Sequence, residues 1–282
     1  MGDARILDVS IDAYHADEIG CDVPALSSSI ATTLVTRSPL HAWHEHPKLG
    51  GASRKRTRAM DLGTVVHMLV LGEGKRFAIL DHDDYRTKAA REDRDAADAS
   101  GHAPILRREY DVASAAADAI RARLRSDHGI ALAGASEVAV TWLEPSSRGP
   151  VRCRAMFDHV DGARIVDLKT SHSAEPEAFE RAMVSHGYDI QHAAYLRALE
   201  SLQPAYVGRT EMVFVVAEIE PPFAMMVGSP AGDMAELGER RWHRAVETWA
   251  RCLATNEWPG YPTRRHDLHA PAWAIQREEF AT

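Results

Sequence analysis

Two strand-like runs, VRCRAMFDHV (151–160) and ARIVDLKT (163–170), flank the dipeptide Asp161-Gly162, and together they constrain the fold more than any other stretch. An Asp-Gly pair between β-branched and aromatic runs signals a hairpin closed by a two-residue type I′ turn. That turn sets Val160 opposite Ala163 and Asp158 opposite Ile165. Side chains alternate along a strand, so Asp158, Ile165, Asp167 and Lys169 fall on one face, with Asp167 diagonal to Asp158 at about 7–8 Å. Cys153, Ala155, Phe157, Val166 and Leu168 take the other face, the one expected to pack. Two carboxylates that near each other can share one cation. Arg152 and Arg154 lie on the carboxylate face too, so a solvated face of salt bridges is the competing reading.

Further strands are expected at SEVAVTWLE, TEMVFVVAEIE and FAMMVG, all rich in Val, Ile and aromatics. Helices are expected after the capping serines Ser27, Ser28 and Ser29, over MDLGTVVHMLVL, over DVASAAADAIRARLRSD, over AEPEAFERAMVSH and YDIQHAAYLRALESL, and from about 232 to 255. This order predicts a mixed α/β fold, a central mixed sheet flanked by helices with a helical elaboration before it. At 282 residues the chain can bury one sizeable core. It is read as a single domain over 1–282, with a mainly helical part at 1–130, an α/β core at 131–255 and a tail at 256–282. The charged stretch 81–104 reads as a mobile loop with some helix.

Composition excludes several classes. No apolar run is long enough to span a membrane, and the acidic N-terminus is unlike a secretory signal, so a cytoplasmic location is expected. Cys21, Cys153 and Cys252 lack the spacing of a disulfide framework or a cysteine-built metal or iron–sulfur site. His41, His44 and His46 have no nearby cysteine or acidic constellation to support a zinc site. A net charge of -8 opposes non-specific nucleic-acid binding, but the basic residues cluster at 54–58, at Arg107-Arg108 and at Arg121, Arg123 and Arg125, which would allow a local positive track.

Asp158 and the triplet Asp167-Leu168-Lys169 resemble the acidic residue and the (D/E)XK triplet of the PD-(D/E)XK nuclease superfamily, with Phe157 where that family often has proline. His67 in LGTVVHMLV, and Gln191 with Tyr195 in QHAAY, extend the likeness to the RecB-type exonuclease group. LSSSIATTLVTRSPLHAW, SEVAVTW, VDLKTSHSAEPEAF and GYDIQHAAYL carry it, over most of residues 26 to 200, toward the exodeoxyribonuclease VIII (RecE) nuclease domain and its phage relatives.

The resemblance implies a restriction-endonuclease-like core and a metal-dependent exonuclease that digests linear double-stranded DNA from the 5′ end, leaving 3′ single strands for recombination. It implies Mg²⁺ or Mn²⁺ held by Asp158, Asp167, the Leu168 carbonyl and His67, hard cations suited to oxygen ligands. Lys169 would orient the attacking water and stabilise charge at phosphorus, while Gln191 and Tyr195, one helical turn apart, would contact DNA and the surroundings of the metal. Glu137 opens the first core strand and reads equally as a site carboxylate or an edge carboxylate. Implied partners are DNA ends, other copies in a ring, and a single-strand annealing protein. An endonuclease, a single-strand exonuclease or a catalytically silent DNA-binding subunit remain open alternatives.

Overall fold

The computed structural model describes residues 4–51, 58–72 and 77–279, with the backbone alone at 58–61 and 279. In chain order the elements are β1 (Arg5–Ile6), α1 (Ile11–His15), α2 (Ser28–Thr36), α3 (Pro39–Glu45), α4 (Arg58–Leu71), β2 (Phe77–Leu80), α5 (Lys88–Ala99), β3 (Ala103–Leu106) and α6 (Arg107–His128). There follow β4 (Ala135–Glu144), β5 (Val151–Asp161), β6 (Arg164–Ser171), α7 (Pro176–His186), α8 (Tyr188–Leu202), β7 (Glu211–Glu218), β8 (Met225–Gly228), α9 (Gly232–Thr255) and α10 (Ala272–Glu279). Six strands form one mixed sheet in the order β1-β4-β5-β6-β7-β8, in which only β6 and β7 run parallel.

Helices cover both faces of this sheet, and the alternation along β7 shows it. Met212, Phe214 and Val216 enter a core shared with α2, α8 and α9, while Val213, Val215 and Ala217 enter a second core shared with α4 and α6. A strand buried on both sides must read as continuously apolar, and VFVVA does. The face expected to pack alone is therefore divided. Cys153, Ala155 and Phe157 lie in the first core together with Ile165, and Val166 and Leu168 lie in the second. Ile165 marks the β6 face toward α8, and two-residue alternation puts Asp167 and Lys169 on that face.

The hairpin closes one pair later than the sequence predicts. Asp161 pairs with Arg164, Val160 with Ile165 and His159 with Val166, leaving Gly162 and Ala163 as the turn. Gly162 takes φ 58° and Ala163 is not among the residues at positive φ, whereas a type I′ turn requires positive φ at both positions. Continued one step, that register sets Asp158 across from Asp167 instead of Ile165, and the expected alternation breaks there: Phe157 packs in the first core as Ile165 does, rather than on the opposite face.

The stretch 81–104, expected as a loop with some helix, is more regular than that. It contains α5, capped by the Thr87 hydroxyl on Ala90 N, and leads into β3, which pairs in parallel with β2. The expected tail contains α10. Of the basic clusters, the side chains of 54–58 lie outside the described residues. Arg107 pairs with Asp81 at 2.7 Å, Arg121 with Asp118 at 2.7 Å, and Arg123 donates to the Phe223 carbonyl at 2.6 Å, so these three are engaged within the fold. Among the described residues no helix is long and apolar enough to cross a membrane.

Candidate active site

The site lies where β5 and β6 part. β5 stays paired with β4 through Val151, and β6 stays paired with β7 through Ser171, but the β5–β6 ladder ends at His159–Val166. Asp158 and Asp167 are the next residue on either strand. Beyond that point the Leu168 N–H has no β5 carbonyl to meet, and the Asp158 carboxylate accepts it at 2.8 Å. A buried amide is thereby satisfied and a carboxylate oriented by the same bond.

Helix α4 delivers His67 to this opening. A Cβ on Gly63 would lie 2.8 Å from the Thr170 hydroxyl, so glycine is what lets α4 rest so close to β6. His67, one turn further on, places Nδ1 3.6 Å from Asp158 Oδ2. On the other side α8 delivers Gln191, whose Nε2 donates to Asp167 Oδ2 at 2.8 Å. The Lys169 ammonium forms an ion pair with Asp167 Oδ1, yet no hydrogen bond of good geometry reaches that buried oxygen. Lys169 is 19% exposed and Asp158 18%, so the opening reaches solvent on their side.

Burial pushes the Asp167 carboxyl up to about 6; the Lys169 cation works against this and the Asp158 charge adds to it. Burial also opposes the charge of Lys169, but Asp167, Asp158 and Tyr188 outweigh it and hold the ammonium above its usual value. Tyr195 is 7% exposed and packs edge-on against Phe157, ring centroids 5.3 Å apart. Burial raises its phenol well above the ordinary range, against a hydrogen bond from Gln191 that lowers it. Tyr195 is thus neutral and largely enclosed, with little of its ring open to solvent. Glu137 holds φ 52°, a sparsely populated backbone region for a side chain of this kind. Its neighbours pair as Ser136–His159 and Val138–Phe157, which puts Glu137 across from Asp158 at a point where the ladder skips a pair.

The donor set fits a hard divalent cation: two carboxylates at a strand splay, the backbone of Leu168 between them, and a buried Asp167 oxygen that lacks a well-formed hydrogen bond. Among the described residues no group of three His, Cys, Asp or Glu is already drawn together as a metal cluster. His41 and His46 serve packing and hydrogen bonding instead, His41 with Ser38 at 2.6 Å and His46 with the Ala25 carbonyl at 3.1 Å.

Two features escaped the sequence reading. Tyr188 and Phe214 lie over the Lys169 ammonium, 4.7 and 5.8 Å from it to the ring centroids. The three-residue spacing of Tyr188 and Gln191 on one helix was the available signal. Arg154, placed on the carboxylate face with a solvated face of salt bridges as the competing reading, is buried and pairs with the buried Asp17 at 3.0 Å, which pins the segment after α1 onto β5. Nothing local to either residue announces that pair.

A solved structure called "Putative exonuclease" from Eubacterium rectale superposes with a TM-score of 0.60 at 13% identity, over 96% of this chain and 98% of that one, a likeness of fold alone. A second, SSO0001, covers 75% of this chain and 91% of its own at 11% identity, but its TM-score of 0.29 carries no argument. Among curated proteins none matches. The family described as a PDDEXK-like domain of unknown function (DUF3799) matches residues 32–265, a span that includes His67, Asp158, Asp167, Lys169 and Gln191. The chain belongs to that family of PDDEXK-like domains.

Proposed function

We propose that this protein is a divalent-metal-dependent nuclease that hydrolyses DNA phosphodiester bonds, and more narrowly an exonuclease that digests linear duplex from the 5′ end and leaves 3′ single-stranded tails. One observation carries the reading: the parting of β5 and β6 brings Asp158, Asp167 and Lys169 to a single opening, with His67 on one side and Gln191 on the other.

Asp158, Asp167, the Leu168 carbonyl and His67 would hold Mg²⁺ or Mn²⁺, which when bound supplies Lewis-acid polarisation of the phosphoryl group and a more acidic water. The rest falls to the chain's own residues. The Leu168 N–H and Gln191 aim the two carboxylates, which lowers the reorganisation needed when substrate arrives. Lys169 brings a fixed positive charge to the non-bridging oxygens as negative charge builds there, and it orients the water that attacks phosphorus. Tyr195 supports Gln191 from below. Glu137 adds a carboxylate beside Asp158. The likeness to exodeoxyribonuclease VIII (RecE) extends the proposal to a ring of copies around the duplex and a single-strand annealing protein as partner.

The test is linear duplex labelled separately at its 5′ and 3′ ends, beside covalently closed circular DNA. Early loss of the 5′ label from linear DNA alone is the expected result. Linearisation of the circle would replace the exonuclease by an endonuclease, and binding without cleavage in any metal would leave a silent DNA-binding subunit.

A further inference from the structure

Lys169 is held by more than its ion pair with Asp167. Its Nζ stands 4.7 Å from the centroid of the Tyr188 ring, and 5.8 Å from that of Phe214. Tyr188 is itself fixed, stacked on Phe179 at 5.7 Å with 24° between the planes, and 6.1 Å from Phe214. The place where α8 begins decides this arrangement. Gly187, at φ 74°, ends α7 and starts α8, and a Cβ there would fall 2.1 Å from the Thr32 hydroxyl, so only glycine lets the second helix turn in at this point. Tyr188, Gln191 and Tyr195 then share one helical face toward β6. The same face grips both ends of the triplet, Gln191 on Asp167 and Tyr188 on Lys169.

A cation over an aromatic face is attracted by the negative potential of the ring, more strongly where water is largely excluded, and the Lys169 side chain is mostly buried. The attraction needs the ring and not the hydroxyl. We infer that Tyr188 is a positioning residue, whose ring holds the Lys169 ammonium in the opening independently of the ion pair with Asp167. Asp167 can then turn its carboxylate to another partner without letting the lysine swing away. The catalytic part of this inference rests on the nuclease reading; the hold on Lys169 does not.

The test replaces Tyr188 by phenylalanine, by phenylalanines carrying one, two and three ring fluorines, and by leucine. Fluorine drains the negative potential of the ring face while nearly preserving its shape, so a packing role and a cation–π role separate. Phenylalanine is expected to keep most of the single-turnover rate on linear duplex. Leucine is expected to lose about tenfold in kcat with KM little changed, and the logarithm of the rate should fall stepwise with each fluorine. Equal rates across the fluorinated series would overturn the inference.

A second measurement does not depend on cleavage. The lysines are Lys48, Lys55, Lys75, Lys88 and Lys169, so ¹³C-lysine spectra are sparse. The Lys169 Cε signal, identified by its loss in Lys169→Arg, should be displaced upfield by the ring and should return to the ordinary position in Tyr188→Leu. A wild-type protein without such a signal refutes the hold on Lys169. If the wild type cuts no DNA yet shows the displaced signal, the nuclease reading fails and the hold stands. If it cuts DNA as fast in Tyr188→Leu as in wild type, the positioning role fails and the nuclease reading stands.

Discussion

Asp167 should make stability depend on pH in a direction opposite to most carboxylates. Its pKa is raised to about 6 in the folded chain, chiefly by burial, against a value of 3.8 for the free side chain. A group with a raised folded pKa contributes stability that is fully present below the unfolded value and is lost as pH rises through the folded one. At about 1.36 kcal/mol per pKa unit, ionising Asp167 inside the fold costs on the order of 3 kcal/mol by pH 7, and roughly 1 kcal/mol of this is recovered between pH 7 and pH 5. His46, His159 and His192, whose pKa values burial lowers, act in the opposite direction over the same range. The quantity to measure is therefore the difference between wild type and Asp167→Asn, whose amide never ionises. Urea unfolding in chelator from pH 8 to pH 5 should show the wild type gaining about 1 kcal/mol on the variant as pH falls. Parallel curves for the two proteins would refute the reasoning. Because a bound cation needs the ionised carboxylate, stabilisation by Mn²⁺ should also weaken below about pH 6.

Gly63→Ala should push α4 off Thr170 and cost about 1 kcal/mol, overpacking partly offset by helix propensity, with cleavage reduced as His67 shifts; Thr170→Ala in the same chain should restore both by urea titration and rate. Arg154→Met leaves Asp17 buried without its main partner and should cost about 3–5 kcal/mol in unfolding free energy, part of which Asp17→Asn in the same chain recovers. Gln191→Ala removes the 2.8 Å bond to Asp167 and should lower kcat by about tenfold with KM nearly unchanged; an unchanged kcat would remove Gln191 from the machinery.

Helix α9 was legible to within a residue, because an amphipathic run from 232 to 255 has a period that only a helix satisfies. The core strands were legible for the parallel reason, and with them the face shared by Asp167 and Lys169. The hairpin pairing was not, since Asp-Gly marks where a turn falls without fixing which pair closes it. That one-pair difference turned a diagonal arrangement of the two aspartates into positions directly across the splay. Some helix was legible in residues 81–104, but its twelve-residue extent was not, because KAAREDRDAADA is charged enough to pass for a loop, and β2 and β3 are too short to show a period of their own. Phe214 and Tyr188 meet at Lys169 from β7 and α8, and Arg154 meets Asp17 from distant parts of the chain. Such pairings exist only after folding, and composition carries no trace of them.

Single-turnover cleavage of linear duplex DNA tests the central claim most directly, with wild type, Asp158→Ala, Asp167→Ala and Lys169→Ala compared in Mg²⁺, in Mn²⁺ and in chelator. The expected result is cleavage by the wild type that needs metal and falls by on the order of a hundredfold or more in each variant while the fold persists. Cleavage undiminished in Asp167→Ala, or none by the wild type in either metal, would contradict it.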